Sequence, residues 1–155
     1  MVNDALNGLV LVNGIDIWER WGVFLTEEKK GGRENLTAIM TASKLKEHVG
    51  VDLREENGKR YSSVLSVVNQ ERDLTLHFAQ YAETKVAWLR NYMDFIGFLK
   101  SGDDGWLTIE FTELGLTLRV FYVESSGYKP LTYLWKEGVQ ASRYKVKFRE
   151  PVPII

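Results

Sequence analysis

The chain has 155 residues, which is the length of one domain and enough to bury well over half of its unfolded surface. Hydrophobic residues make up 45% and charged residues 26%, as in ordinary globular proteins, and the net charge of −1 argues against nonspecific nucleic-acid binding, which needs a cationic surplus. The absence of cysteine excludes a disulfide scaffold, a thiolate metal site and a cysteine nucleophile.

No run of the sequence approaches the ~20 apolar residues that a membrane-spanning helix needs. The N-terminal segment has one short apolar run, residues 9–12, and no basic leader, so we predict no signal peptide and expect the protein to be made and kept in the cytoplasm of its producer. There are three prolines and no Pro/Ser-rich linker, which predicts a single domain over residues 1–155.

Turn signals divide the first part of the chain into short strands. Residues 8–13 predict an apolar strand that is closed by the turn Asn13-Gly14, and residues 21–26 predict a second strand. The charged segment 27–34 is broken by two glycines and predicts a mobile loop.

The next three segments differ in how clearly they signal their structure. Residues 35–46 have apolar residues at helical spacing, but their threonines weaken a helix prediction and leave the segment ambiguous. Residues 46–60 predict a polar hairpin with its turn at residues 56–59. Residues 73–79 alternate and predict a half-buried strand. Its inward face consists of Leu74, Leu76 and Phe78.

A long helix is predicted over about residues 83–100, with Thr84 as N-cap and Gly102 at its end. It carries two adjacent apolar stripes at helical spacing. One stripe is Val86, Leu89, Met93 and Ile96, and the other is Trp88, Tyr92, Phe95 and Leu99. Together they cover about half the circumference, whereas a surface helix shows an apolar stripe a little over ~100° wide.

The three aromatic rings of the second stripe alone carry more than ~450 Å² of surface, on the order of 10 kcal/mol of burial as an upper bound. Soluble monomers rarely expose that much contiguous apolar surface. The helix is therefore expected to be covered on two sides, by its own core and by either a second layer of the fold or another subunit.

The second half of the chain is predicted to form strands. A turn at residues 103–105 precedes strands predicted at residues 106–111, 116–123, 130–135 and 140–149. In the last strand Tyr144, Val146 and Phe148 are predicted to face inward, and Lys145, Lys147 and Arg149 to face solvent as on an edge strand. About eight strands and one long helix predict a β-rich α+β domain, either an antiparallel β-sandwich or a partly open barrel.

The sequence offers no motif for catalysis. The two histidines, His48 and His77, fall in different elements and are interpreted as solvated or structural. Asp103 and Asp104 are interpreted as turn residues rather than calcium ligands. The carboxylates Glu110 and Glu113 could be imagined as a glycosidase pair, but surface carboxylates are the default interpretation. We therefore predict no enzyme activity, no metal and no cofactor. A hydrolase with an unrecognised carboxylate pair, including Glu110, is a third hypothesis.

Five tryptophans and seven tyrosines raise a second hypothesis, a carbohydrate-binding module with exposed aromatic rings. Trp106 and Trp135 fall in predicted strands, where core or interface packing is commoner. Trp18 and Trp21, which flank two charged residues, are the best candidates for an exposed contact. Anchoring of a protein interface is the commoner use of such residues.

Taken in order, these elements resemble the N-terminal domain of distal tail proteins from long-tailed phages and prophages. The segments that carry the resemblance are Asn13-Gly14-Ile15-Asp16, Trp21-Gly22-Val23, the turn Asn57-Gly58, the strand Arg72–Phe78, the helix, the hairpin Trp106–Phe111 with Leu116–Tyr122, and the closing Tyr144–Pro151. The likeness spans nearly the whole chain. The second, C-terminal domain of full-length distal tail proteins has no counterpart here, which leaves a related ring, tail-tube or baseplate component open.

The resemblance implies a structural tail protein whose subunits form six-membered rings by continuing their sheets around a channel, in contact with other tail proteins. It implies a place in the virion tail after assembly. We also expect no specific nucleic-acid partner, in keeping with the low net charge. Closed head-to-tail rings need two different complementary surfaces on each subunit. The loop at residues 27–34 and the hairpin at residues 46–60 are candidates for contacts made on assembly. We predict the subunit interface at Trp88, Tyr92, Phe95 and Leu99, with Trp18 and Trp21 next.

Overall fold

The computed structural model describes residues 4–133, 135 and 137–155. In chain order the elements are the 3₁₀ turn Asp4–Leu6, β1 Val10–Val12, β2 Ile15–Asp16, α1 Ile17–Trp21, β3 Val23–Leu25, α2 Glu34–Met40, β4 Arg72–Ala82, α3 Lys85–Ser101, β5 Trp106–Phe111, β6 Leu116–Pro130 and β7 Gln140–Glu150. The strands form one antiparallel open sheet in the order β2-β1-β5-β6-β7-β4-β3. The predicted β-rich α+β class is confirmed.

The centre of the sheet is an uninterrupted ladder between β4 and β7, from Arg72 opposite Glu150 to Ala82 opposite Gln140. Both strands alternate as the sequence predicts, because one face meets the core and the other meets solvent. The inward residues are at most 2% exposed: Leu74, Leu76, Phe78, Tyr144, Val146 and Phe148.

Helix α3 lies against the inner face of this sheet and begins and ends where the sequence predicts. Thr84 Oγ1 accepts a hydrogen bond from the Ala87 amide at 3.2 Å, and the Gly102 amide donates to the Phe98 carbonyl at 2.8 Å. The ring of Phe95 packs against those of Trp21 and Phe78, with centroids 5.2 and 5.7 Å apart. These contacts place α3 over a single core shared with β4 and β7.

The sheet bends around that core, because α1 contacts β1 and β2 near one sheet edge and β3 at the other. Helix α1 is absent from the sequence prediction, which assigned Trp21 to a strand. Its N-terminus is capped by Asp16 Oδ1, which accepts from the Trp18 amide at 3.1 Å. It ends at Gly22, whose φ of 69° and approach to the Tyr81 carbonyl leave no room for a Cβ.

Two further strand predictions are wrong and one ambiguity is resolved. Residues 35–46 contribute to a helix, α2, not a strand. The strand predicted at residues 130–135 does not form: Pro130 is the last residue of β6, and residues 131–133 lie in the connection to β7, where the Leu131 amide still donates to the Ala141 carbonyl at 2.9 Å. Leu134 lies outside the described residues. Strand β7 is central rather than an edge strand, and two of its outer cations are neutralised: Lys147 lies 3.6 Å from Glu124, and Arg149 lies 2.8 Å from Asp73.

Candidate functional site: exposed apolar surfaces

The aromatic stripe of α3 faces the protomer's own core. Trp88 is 8% exposed and Phe95 and Leu99 are 0% exposed, while Tyr92 is half-buried against the ring of Tyr144 at a centroid distance of 5.0 Å. The indole nitrogen of Trp88 donates to Ser142 Oγ at 3.0 Å. Phe95 and Leu99 are closed off from solvent in the folded protomer, whereas Tyr92 is not, and the subunit interface predicted at this stripe stays a prediction.

The other stripe of α3 carries the exposed apolar surface. Val86, Leu89 and Met93 are 67%, 54% and 63% exposed, and Ile96 is half-buried. The helix therefore does have the two apolar sides that its sequence indicates, with the aliphatic side outward. Nothing in the described protomer covers these three side chains.

The two N-terminal tryptophans also differ in burial. Trp21 is buried between Phe95 and Phe98 and belongs to the core. Trp18 is half-buried on the outside of α1, edge-on to Phe24 at 5.7 Å and near Tyr81 at 6.2 Å. The Asp16 N-cap is the sequence signal that would have put both indoles on one short helix.

A second exposed surface is the arm, residues 41–71, which joins α2 to β4. Its two halves are held by the bridges Leu45–Asn69 and Val51–Arg60, so the predicted hairpin at residues 46–60 survives as one paired position instead of two strands. Nine large apolar side chains of the arm are exposed: Leu45, Val49, Val51, Leu53, Tyr61, Val64, Leu65, Val67 and Val68. Sequence reasoning missed this concentration of apolar surface.

A third surface lies in the connection between β6 and β7. The rings of Tyr133 and Trp135 stack with centroids 5.4 Å apart and planes 9° apart, and the two residues are 71% and 76% exposed. We call this pair the aromatic knob. Because Trp135 lies in a loop, its predicted place within a strand is wrong.

A groove, which we call the seam groove, opens beside β3 between the two edges of the bent sheet. Its volume is about 300 Å³. Its walls come from β1, β3, α1, α2 and the turn between β5 and β6, and the apolar side chains that shape it include Leu9, Val10, Val23, Leu25, Leu36 and Leu114.

The titratable residues considered for catalysis do not converge. Glu110 and Glu113 are exposed, and Asp103 and Asp104 lie in the turn after α3. The backbone amide of His77 donates to Asn35 Oδ1 at 2.7 Å, which is a structural contact. Within residues 4–133, 135 and 137–155, no three His, Cys, Asp or Glu side chains are grouped as a metal site would require. The helices of that part are also too short or too polar to cross a membrane.

Comparison with solved structures gives an informative match. No protein-family model and no curated protein sequence matches the chain. The crystal structure of the SPP1 Dit protein (gp 19.1), described as a paradigm of the hub adsorption apparatus in phages that infect Gram-positive bacteria, superimposes with a TM-score of 0.61 over 94% of this chain at 12% sequence identity. The chain has a phage distal-tail-like fold. It spans 50% of the length of the Dit chain, and at this identity the likeness establishes the fold alone.

Proposed function

We propose that this protein is a structural component of a phage or prophage tail, a distal tail, tail-tube or baseplate ring subunit, whose activity is to assemble with copies of itself. The observation that supports this proposal most is the match over 94% of the chain to the SPP1 Dit protein, a hub of a phage adsorption apparatus. On this proposal the protein ends up in the virion tail, contacts other tail proteins and needs no cofactor.

The distribution of apolar surface supports an assembling role. The exposed stripe of α3 and the arm together present twelve large apolar side chains that the protomer does not bury. Isolated soluble domains rarely carry apolar patches of this extent, and subunit interfaces commonly do. Burial of these side chains between identical subunits would supply the free energy of assembly.

A ring further requires that each subunit present two different surfaces that fit each other, since head-to-tail contacts close only by rotation. The stripe of α3 and the arm lie on separate elements and are candidates for these two surfaces. Six subunits per ring is the number that the likeness to distal tail proteins implies.

Light scattering over a concentration series, with negative-stain electron microscopy of the largest species, tests the proposal. We expect closed oligomers, and rings in projection, that dissociate on dilution. The double variant Leu89→Ser/Met93→Ser should shift assembly to higher concentration, whereas Arg90→Ser/Asp94→Ser, on exposed polar positions of the same helix, should not. A wild-type protein that stays monomeric at every concentration would contradict self-assembly.

The carbohydrate-binding alternative gains no support from Trp18, Trp21, Trp88 and Trp106. Trp21 and Trp88 are buried, and Trp106 is covered by Phe121 on one side and by the Arg119 guanidinium 4.6 Å from its ring. Trp18, Phe24 and Tyr81 meet at steep or tilted angles and do not form a flat platform. Tryptophan fluorescence should accordingly be unchanged by glycans.

A further inference from the structure

One wall of the seam groove is formed by strand β3, which has one unpaired edge. Among the described residues, strand β3 pairs with β4 and with no other strand. The Tyr81 amide donates to the Gly22 carbonyl at 3.0 Å, and the Thr26 amide donates to the His77 carbonyl at 2.9 Å. Backbone groups of an antiparallel strand alternate in direction, so those of Val23 and Leu25 point away from β4. Val23 is fully buried, which leaves the backbone at the half-buried Leu25 as the part of this edge that faces the groove. An extended segment lying in the groove could pair with this part of the edge.

The charges around the groove have one sign. Asp16, Glu27 and Glu113 line it, and no lysine or arginine does. Asp16 is committed internally, because its two oxygens accept from the Gly8 and Trp18 amides. The half-buried Glu27 is also committed internally, because its Oε2 accepts from the Glu34 amide at 2.8 Å. The exposed Glu113 is therefore the acid that gives the rim its negative charge. The groove therefore favours an occupant that is apolar and flanked by cations.

The aromatic knob is an apolar, exposed segment flanked by cations. Its two rings are more than two-thirds exposed, and the neighbouring Leu131 and Val139 are 50% and 47% exposed. Lysines flank the knob in the sequence, Lys129 before it and Lys136 after it. Lys129 is exposed and stands opposite Arg143 on β7, and like charges directly opposite each other are destabilising without an acidic neighbour.

We propose that the aromatic knob of one copy of this chain inserts into the seam groove of a second copy. The rings of Tyr133 and Trp135 fill the apolar floor beside the free edge of β3 at Leu25, and Lys129 meets the acidic rim at Glu113. This inference rests on the proposed self-assembly and names two of the complementary surfaces that it needs. Trp and Tyr inserted in a partner's pocket are the typical energetic anchors of an interface.

Because the chain contains no cysteine, engineered cysteines can test the contact without side reactions. We would mix two single-cysteine proteins, Val139→Cys beside the knob and Leu114→Cys in the groove, under mild oxidation. A disulfide-linked dimer of the two is expected. Thr117→Cys, at an exposed position of β6 outside the groove lining, replaces Leu114→Cys as the control and should give at least tenfold less cross-linked dimer.

Association is then measured by light scattering for Tyr133→Ser/Trp135→Ser, with Val152→Ser as a control at another exposed apolar residue. We expect the knob variant to need at least a tenfold higher concentration to assemble, with an unchanged Tm because its rings lie outside the core. Lys129→Glu and Glu113→Lys should each weaken association, and the two variants mixed with each other should associate more tightly than either does alone.

The outcomes separate this inference from the proposed function. A wild-type protein that is monomeric throughout overturns both. A wild-type protein that assembles while the knob variant assembles equally well, with no cross-link in the mixture, overturns only the knob contact. The same holds if a chain carrying both cysteines cross-links within itself and the mixture of single-cysteine proteins does not, because the knob then folds onto its own groove.

Discussion

Arg72 and Glu150 form a buried ion pair at one end of the central β4–β7 ladder, with Arg72 Nε 2.6 Å from Glu150 Oε1 and side-chain exposures of 6% and 1%. The guanidinium also donates through Nη1 to the carbonyls of Ile39 at 2.9 Å and Thr41 at 2.6 Å. The pair therefore fixes the C-terminal end of α2, where the arm begins, to the centre of the sheet.

Removal of one partner of this pair should be costly, because it leaves a buried charge without compensation. We expect Glu150→Gln to lower the free energy of unfolding by about 3–5 kcal/mol. Urea denaturation measures the loss. Glu124→Gln, in the exposed pair with Lys147, is the matched control and should cost less than about 1 kcal/mol. Equal losses in the two variants would show that the buried pair contributes no more to the free energy of unfolding than the exposed pair does.

The hydroxyl of Tyr144 is buried without a hydrogen-bond partner among the described residues. Since an unsatisfied buried hydroxyl costs free energy, Tyr144→Phe should raise the free energy of unfolding by about 1 kcal/mol. The neighbouring Tyr92 provides the contrast, because its hydroxyl bonds Ser125, and Tyr92→Phe should lower stability by about 1 kcal/mol. Chemical denaturation measures the free energy of unfolding of both variants. A destabilised Tyr144→Phe protein would contradict the argument that its hydroxyl is buried at a cost.

The same burial predicts a loss of stability at alkaline pH. Burial, reinforced by the nearby Tyr92 and Tyr128, raises the pKa of Tyr144 well above its ordinary value of 10.0. Above pH 10 the unfolded chain loses this proton while the folded chain keeps it, so the free energy of unfolding falls as pH rises. The contribution is complete below pH 10 and lost as pH rises through the folded pKa.

Unfolding free energies measured from about pH 8 to about pH 11 should decline less steeply in Tyr144→Phe than in the wild type, by up to ~1.4 kcal/mol per pH unit. Part of the decline remains in the variant because burial also raises the pKa values of Tyr92 and Tyr128. Parallel pH profiles of wild type and variant would mean that Tyr144 ionises equally in both states.

The parts of the fold that the sequence predicts are those with a strong local period. Strand β7 alternates over its eleven residues and β4 over its first seven, and α3 has both a cap and an apolar period. Helix α1 has five residues, too few to show a period, and was missed. The Arg72–Glu150 pair joins residues 78 positions apart, and only the strand register brings them together.

The candidate contact surfaces were predictable as an excess of apolar residues but not as particular residues. Both stripes of α3 are apolar, so periodicity alone does not say which side meets the sheet. The core selects the aromatic side, because Phe95 fills the space between Trp21 and Phe78. The knob and the seam groove depend on where a loop and two sheet edges end up, which no local pattern reports.

The two stripes of α3 can be separated experimentally by comparing Phe95→Ala with Met93→Ala. Phe95 is fully buried, and its truncation should lower the free energy of unfolding by about 3–5 kcal/mol. Met93 is 63% exposed, so its truncation should change stability by less than about 0.5 kcal/mol while weakening self-association. Denaturation and light scattering on the same samples measure both quantities. If Met93→Ala assembled as well as the wild type, the outer stripe of α3 would have no part in subunit contact, whereas a Phe95→Ala protein of full stability would contradict the placement of the aromatic stripe in the core.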